Sequence, residues 1–248
     1  MSDDEGLDGW DPTRPAFDAG DGGTELPLED RSAELPPEDD GRDSPRGSGG
    51  EEPERAASGD LLLAPQLEAL AALASRTAAA LEDGTARYAR WAEATLREGG
   101  KLIFCGNGGS AATAEHVAAE YAVRFRRRRD PLPALSLTES GPATTAAAND
   151  YGYEEVFSRR LRALARPGDL LVVHSTSGES ENVIRAVRTA TEMSLRSVGL
   201  LAGDGGRVAG QVSLALVVPT DDVARAQEMH MAIEHTVADR VDRVFSEG

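Results

Sequence analysis

A chain of 248 residues is long enough for one substantial core, and its net charge of −17 excludes a broadly basic nucleic-acid surface. That charge is uneven: residues 1–60 hold 19 Asp and Glu against 5 Arg, whereas residues 61–248, nearly neutral, hold 24 acids against 21 bases. A single cysteine, Cys105, excludes an intramolecular disulfide and fits a reducing cytoplasm, and the start MSDDEGLDGW carries neither half of a secretory signal.

Residues 1–60 contain 7 of the 13 prolines and 10 of the 26 glycines, with no hydrophobic periodicity. Such a segment buries too little apolar surface to offset its ordering entropy, so it is expected to be a disordered acidic tail. It reads either as a docking arm or as a solubilising extension. The globular domain is expected over residues 61–248, opening with an N-terminal helical pair over residues 61–98. Leu61, Leu62, Leu63, Leu67, Leu70, Leu73 and Leu81 recur at helical spacing on an alanine-rich background. Asp83-Gly84 is expected to break that helix, and a second one, capped by Thr85, is expected to run to Glu98.

From there the pattern is strand, turn, helix, repeated. Apolar strands are expected at Leu102–Cys105, Ala134–Leu137, Leu170–His174, Ser197–Leu201 and Leu214–Val218. The intervening helices are expected at Ser110–Arg124, Pro142–Asn149 with Glu154–Ala165, Glu181–Met193 and, briefly, Gly206–Gly210. A last helix is expected from Val223 to Phe245. Short apolar strands alternating with helices specify an α/β fold, a parallel sheet covered on both faces, with ligands at the carboxyl ends of the strands. No apolar run is long enough to span a bilayer.

Three loops fall where a ligand should sit. Asn107-Gly108-Gly109-Ser110 follows the first strand and opens a helix, so close-approaching backbone N–H groups and a helix N-terminus face any anion there. Its spacing is not that of a dinucleotide fingerprint. The run Ser175-Thr176-Ser177-Gly178-Glu179-Ser180 follows the third strand; one hydroxyl suffices for a helix cap, and four point to a neutral phosphate cup. Asn149-Asp150-Tyr151-Gly152 reads equally as a C-cap with its turn or as part of a site.

Titratable groups gather on two helices. His116 and Glu120, four residues apart, share one helix face and form a frequent zinc-binding pair. On the last helix Gln227, His230 and Glu234 line one face and His235 a neighbouring one, so Gln227 and His235 can border a common pocket. His174, inside an apolar strand, reads as a core histidine, and Cys105 as packing. The run Arg124 to Arg129 reads as a solvated helix end.

Together the stretches CGNGGS, HVAAE, AAANDYGYEEVFSR, STSGESENV and AQEMHMAIEH resemble the sugar isomerase (SIS) domain proteins, specifically the phosphoheptose isomerases, from about Leu62 to Phe245. The resemblance implies a flavodoxin-like fold with five parallel strands, in a homotetramer whose active sites lie at subunit interfaces. It implies one zinc ion per subunit on His116, Glu120, Gln227 and His235, and a phosphate loop of Ser175, Thr176, Ser177 and Ser180. Asn107, Gly108, Gly109 and Ser110, with Asn149 and Asp150, match the family's substrate-contacting positions, and Glu120 and His235 match its acid/base pair. The implied reaction converts D-sedoheptulose 7-phosphate to D-glycero-D-manno-heptose 7-phosphate, the first step toward nucleotide-activated heptose. Two positions depart from the usual pattern, Ala111 and Ala224, with Asp221 and Asp222 close to the second. A non-catalytic relative, the SIS-domain adaptor that binds the bacterial replication initiator, lacks residues matching Glu120 and His235. A DNA-binding sugar-phosphate regulator is disfavoured because no DNA-binding module accompanies the domain.

Overall fold

The computed structural model describes residues 63–246, so the expected acidic tail lies outside the described residues. The elements run α1 (Leu63–Arg97), β1 (Leu102–Gly106), α2 (Gly109–Ala122), β2 (Ala134–Ser136) and α3 (Gly141–Tyr151), followed by a 3-10 turn (Tyr153–Glu155). Next come α4 (Val156–Leu164), β3 (Leu170–Ser175), α5 (Glu181–Glu192), β4 (Arg196–Ala202), α6 (Gly206–Ala209), β5 (Leu214–Val218) and α7 (Val223–Ser246). The strands form one wholly parallel sheet in the order β2-β1-β3-β4-β5. Strand order therefore reverses between β1 and β3, which places the ligand crevice at the carboxyl ends of those two strands.

Continuous apolar runs explain the central strands. Every residue of β1 and β3 is buried, because both faces of the sheet are covered by helices. One core, containing Phe104, Val172 and Leu200, lies under α1, α2 and α7. The other, containing Ile103, Val173 and Leu201, lies under α4 and α5. Among the described residues, no helix is long and apolar enough to cross a membrane.

The expected helical pair is a single helix. α1 runs unbroken from Leu63 to Arg97, through Asp83 and Gly84. A Cβ on Gly84 would stand 2.5 Å from Leu216 Cδ2, so the missing side chain is what lets α1 close on β5. Glycine here serves packing between elements, and burial against the sheet outweighs its cost of about 1 kcal/mol within a helix.

The arginine run is not all solvated. After α2 ends at Ala122, Arg129 turns back: its guanidinium donates to the carbonyls of Tyr121 (2.9 Å) and Glu120 (2.8 Å) and to Asp242 Oδ1 (2.7 Å). Helix ends leave orphan carbonyls and partial negative charge, which a buried arginine satisfies. Asp242 also accepts from the backbone N–H groups of Arg126 and Arg127, fixing this loop to α7. Arg124, Arg126 and Arg128 are exposed.

Candidate active site at the switch in strand order

His116 and Glu120 leave the same face of α2, and α7 crosses that helix with His235 opposite them. His116 Nε2 lies 3.1 Å from His235 Nε2 and 3.3 Å from Glu120 Oε1, and one ligand atom from each of the three residues falls within 4.8 Å of the others. All three come from a single chain. His116 is exposed, whereas Glu120 and His235 are half-buried. Phe125 stacks on the His235 ring with centroids 5.1 Å apart, which orients the imidazole. Burial holds His235 below the usual imidazole range; His116 pushes the same way, while Glu120 and Glu234 push back.

This donor set fits a divalent cation. His116 Nε2 faces both an imidazole nitrogen and a carboxylate oxygen, and one N–H cannot serve both. Two nitrogens at about 2.0–2.1 Å from a tetrahedral zinc stand roughly 3.3 Å apart, close to the observed separation. Gln227, on α7 ahead of His235, is placed differently: its amide packs against Gly109, with Oε1 2.6 Å from where a Cβ on that glycine would lie. It covers the first turn of α2, on which His116 sits further along.

The glycine loop is firmly built. Gly108 adopts φ 54° and caps α2 with no side-chain bond. Asn107 and Asn182 exchange amide hydrogen bonds at 2.9 and 2.8 Å, and Tyr153 donates to Asn107 Oδ1 at 3.0 Å. Asn182 is buried on α5, so the first ligand loop and the helix behind the second are locked together. Gly108 and Gly109 are exposed and Ser110 buried.

The hydroxyl loop divides its labour. Ser175 Oγ accepts from Gly178 N and Ser177 Oγ from Glu179 N, which shapes the turn. Ser180 is the N-cap residue of α5 but makes no side-chain cap bond, so its hydroxyl is left for something else. Gly178, at φ 63°, approaches the loop after β4 so closely that a Cβ would lie 2.0 Å from Gly205 O. Thr176 and Ser177 line a cavity of about 400 Å³ together with Gly203, Asp204 and Asp221.

Asn149 and Asp150 are exposed at the end of α3 and bond each other at 2.8 Å; Gly152 forms the C-cap, as a turn there requires. Tyr153, just beyond, is what joins this segment to the glycine loop. Sequence reasoning missed Tyr153, Asn182 and Phe125, whose partners are distant in the chain. Burial pushes the Cys105 thiol up to about 12, so it stays protonated and serves as packing.

The SIS domain signature matches residues 67–202. Over 153 residues the chain is 49% identical to the phosphoheptose isomerase of Roseiflexus sp. (strain RS-1), covering 62% of this chain and 78% of that protein. It superposes on the phosphoheptose isomerase GmhA from Neisseria gonorrhoeae with a TM-score of 0.69 and 38% identity, covering 73% of this chain and 97% of that one. A phosphoheptose isomerase from Francisella tularensis gives a TM-score of 0.71 at 34% identity, covering 73% and 96%.

Proposed function

The chain belongs to the SIS domain family and, within it, to the phosphoheptose isomerases, and we propose that it converts D-sedoheptulose 7-phosphate to D-glycero-D-manno-heptose 7-phosphate. The observation that carries this reading is the meeting of Glu120 and His235 between α2 and α7, in a fold whose glycine and hydroxyl loops follow β1 and β3, the two strands at the reversal of strand order. Phosphate is bound by Ser175, Thr176, Ser177 and Ser180 with the N-terminal N–H groups of α5, a neutral cup that holds one end of the sugar and orients the rest. Asn107, Gly108, Gly109 and Ser110, with Asn149 and Asp150, contact the sugar; Tyr153 and Asn182 fix the amide of Asn107 for that purpose.

Glu120 removes the proton from the carbon beside the carbonyl, giving an enediol, and returns a proton to the neighbouring carbon. One carboxylate oxygen faces His116, which leaves the second for the proton. His235, whose proton affinity burial lowers, moves a proton between the two substrate oxygens. His116, Glu120 and His235 would hold one zinc ion per subunit, which when bound would polarise the carbonyl and the enediolate; Gln227, packed on Gly109, would join them only if its amide turned from that glycine. The reading makes this the first step toward nucleotide-activated heptose, performed in the cytoplasm.

A homotetramer with active sites at subunit borders belongs to the same proposal. It is supported by the exposed Leu63 and Leu67 of α1 and by an apolar groove of about 360 Å³ between α1 and α7, lined by Ala74, Leu81, Met229 and Ile233 among others. The test of function is to incubate the purified protein with sedoheptulose 7-phosphate and follow aldoheptose 7-phosphate by NMR, with and without chelator. Product that diminishes on chelation is expected; no product with any divalent metal overturns the assignment in favour of the adaptor.

A further inference from the structure

Behind His235, on the buried side of α7, runs a chain of polar groups that the reaction above does not use. Tyr88 Oη donates to Glu234 Oε2 at 2.9 Å, and His174 Nε2 bonds Glu234 Oε1 at 2.8 Å. All three residues are 0% exposed. They come from α1, β3 and α7, so one carboxylate ties three elements together. Its neighbours along the chain matter as much: Glu234 precedes His235, and His174 precedes Ser175, the first hydroxyl of the phosphate loop. A third tie, from His230 Nε2 to the carbonyl of Leu201 at 3.0 Å, fixes the same stretch of α7 to β4.

Stability alone does not account for this arrangement. A buried carboxylate with two partners typically gains little over well-packed apolar side chains of the same volume, since desolvation offsets the attraction. What such a network supplies is geometry: both carboxylate oxygens are engaged, and neither α7 nor β3 can slide without breaking a buried bond. His235 must reach His116 and Glu120 on a different helix, while the hydroxyl loop must hold the far end of the same sugar. We propose that Glu234 is a positioning residue, which through Tyr88 and His174 holds His235 and the Ser175–Ser180 loop in register. This inference rests on the isomerase reading for its kinetic part and on the three-residue cluster alone for its metal-binding part.

The test uses the full chain with Tyr88→Phe, Glu234→Gln and His174→Gln, near-isosteric changes, each first confirmed as folded by circular dichroism. Affinity for Co²⁺ added alone is read from its visible absorption, and kcat and KM are measured with sedoheptulose 7-phosphate. Tyr88→Phe and Glu234→Gln are expected to weaken Co²⁺ binding and lower kcat by roughly tenfold each, the scale of groups that orient a metal ligand. His174→Gln is expected to raise KM more than it lowers kcat, because it acts on the strand that leads into the phosphate loop. Tyr121→Phe is the control; it removes another buried tyrosine hydroxyl, one with no hydrogen-bond partner among the described residues, and leaves all three quantities unchanged. Variants that melt at lower temperature yet keep wild-type Co²⁺ affinity, kcat and KM would overturn the proposal. If the wild type turns over no sugar phosphate, the isomerase reading falls, and the Co²⁺ affinities alone decide whether Glu234 positions His235.

Discussion

His235 and Glu234 are neighbours on α7, yet they serve two assemblies of the same chemistry in opposite environments. Outside, His116, Glu120 and His235 converge with coordinating valence to spare. Inside, Glu234, His174 and Tyr88 use carboxylate and imidazole as well, and there both carboxylate oxygens are engaged within the protein. The outer groups are suited to an incoming cation and sugar, the inner ones to holding helices and strand in place. Side-chain type therefore says little about role; which face of α7 a residue occupies says much more.

The sharpest way to break this contrast is to disable one assembly and look for damage in the other's property. Glu120→Gln is expected to lower turnover about 10³-fold, the scale of a lost general base, while leaving the thermal unfolding midpoint almost unmoved. Glu234→Leu is expected to do the reverse first, costing about 4 kcal/mol in urea denaturation because it strands Tyr88 Oη and His174 Nε2 in the core; His116→Ala, at an exposed position, is expected to cost under about 1 kcal/mol. Comparable losses of stability from both would erase the distinction.

Acid sharpens it further. Burial, reinforced by His174, brings His230 down to about 4. An unfolded chain takes up a proton there near pH 6.5 that the folded protein refuses, so the stability is fully present above that pH. It is lost as pH falls toward 4, by about 3 kcal/mol, and His230→Gln should flatten that dependence in denaturation curves taken across the range. His235, shifted in the same direction, adds to the loss with the same sign. The smallest effect belongs to Ser180→Ala. Its hydroxyl makes no cap bond, so stability should change by less than about 0.5 kcal/mol. KM for the sugar phosphate should nonetheless rise roughly tenfold, as for one lost hydrogen bond to a charged group. A stability loss typical of a removed helix cap would instead make the residue structural.

Local chemistry made much of this legible from the residues alone. The five strands and their order of appearance followed from apolar runs between turns, and the glycine and hydroxyl loops stood where parallel sheets bind ligands. His116 and Glu120 announced themselves by spacing within one helix. What failed to show was set by contacts across the fold. Gly84 looked like a helix breaker, since nothing in its neighbourhood reveals Leu216 on the far side of the contact. Arg129 looked solvated because the carbonyls and the carboxylate that bury it belong to α2 and α7. His174 was legible as a core histidine, but Glu234 stands 60 residues from it and 146 from Tyr88, separations at which periodicity carries no information.

Carrying out the reaction in D₂O with sedoheptulose 7-phosphate, and reading the product by NMR, tests the claim that Glu120 and His235 of one chain perform a proton transfer through an enediol. Deuterium at the carbon next to the new carbonyl in the wild-type product, with product from Glu120→Gln forming about 10³-fold more slowly, is the predicted result. Product formed entirely without deuterium, or a Glu120→Gln variant as fast as the wild type, would contradict it.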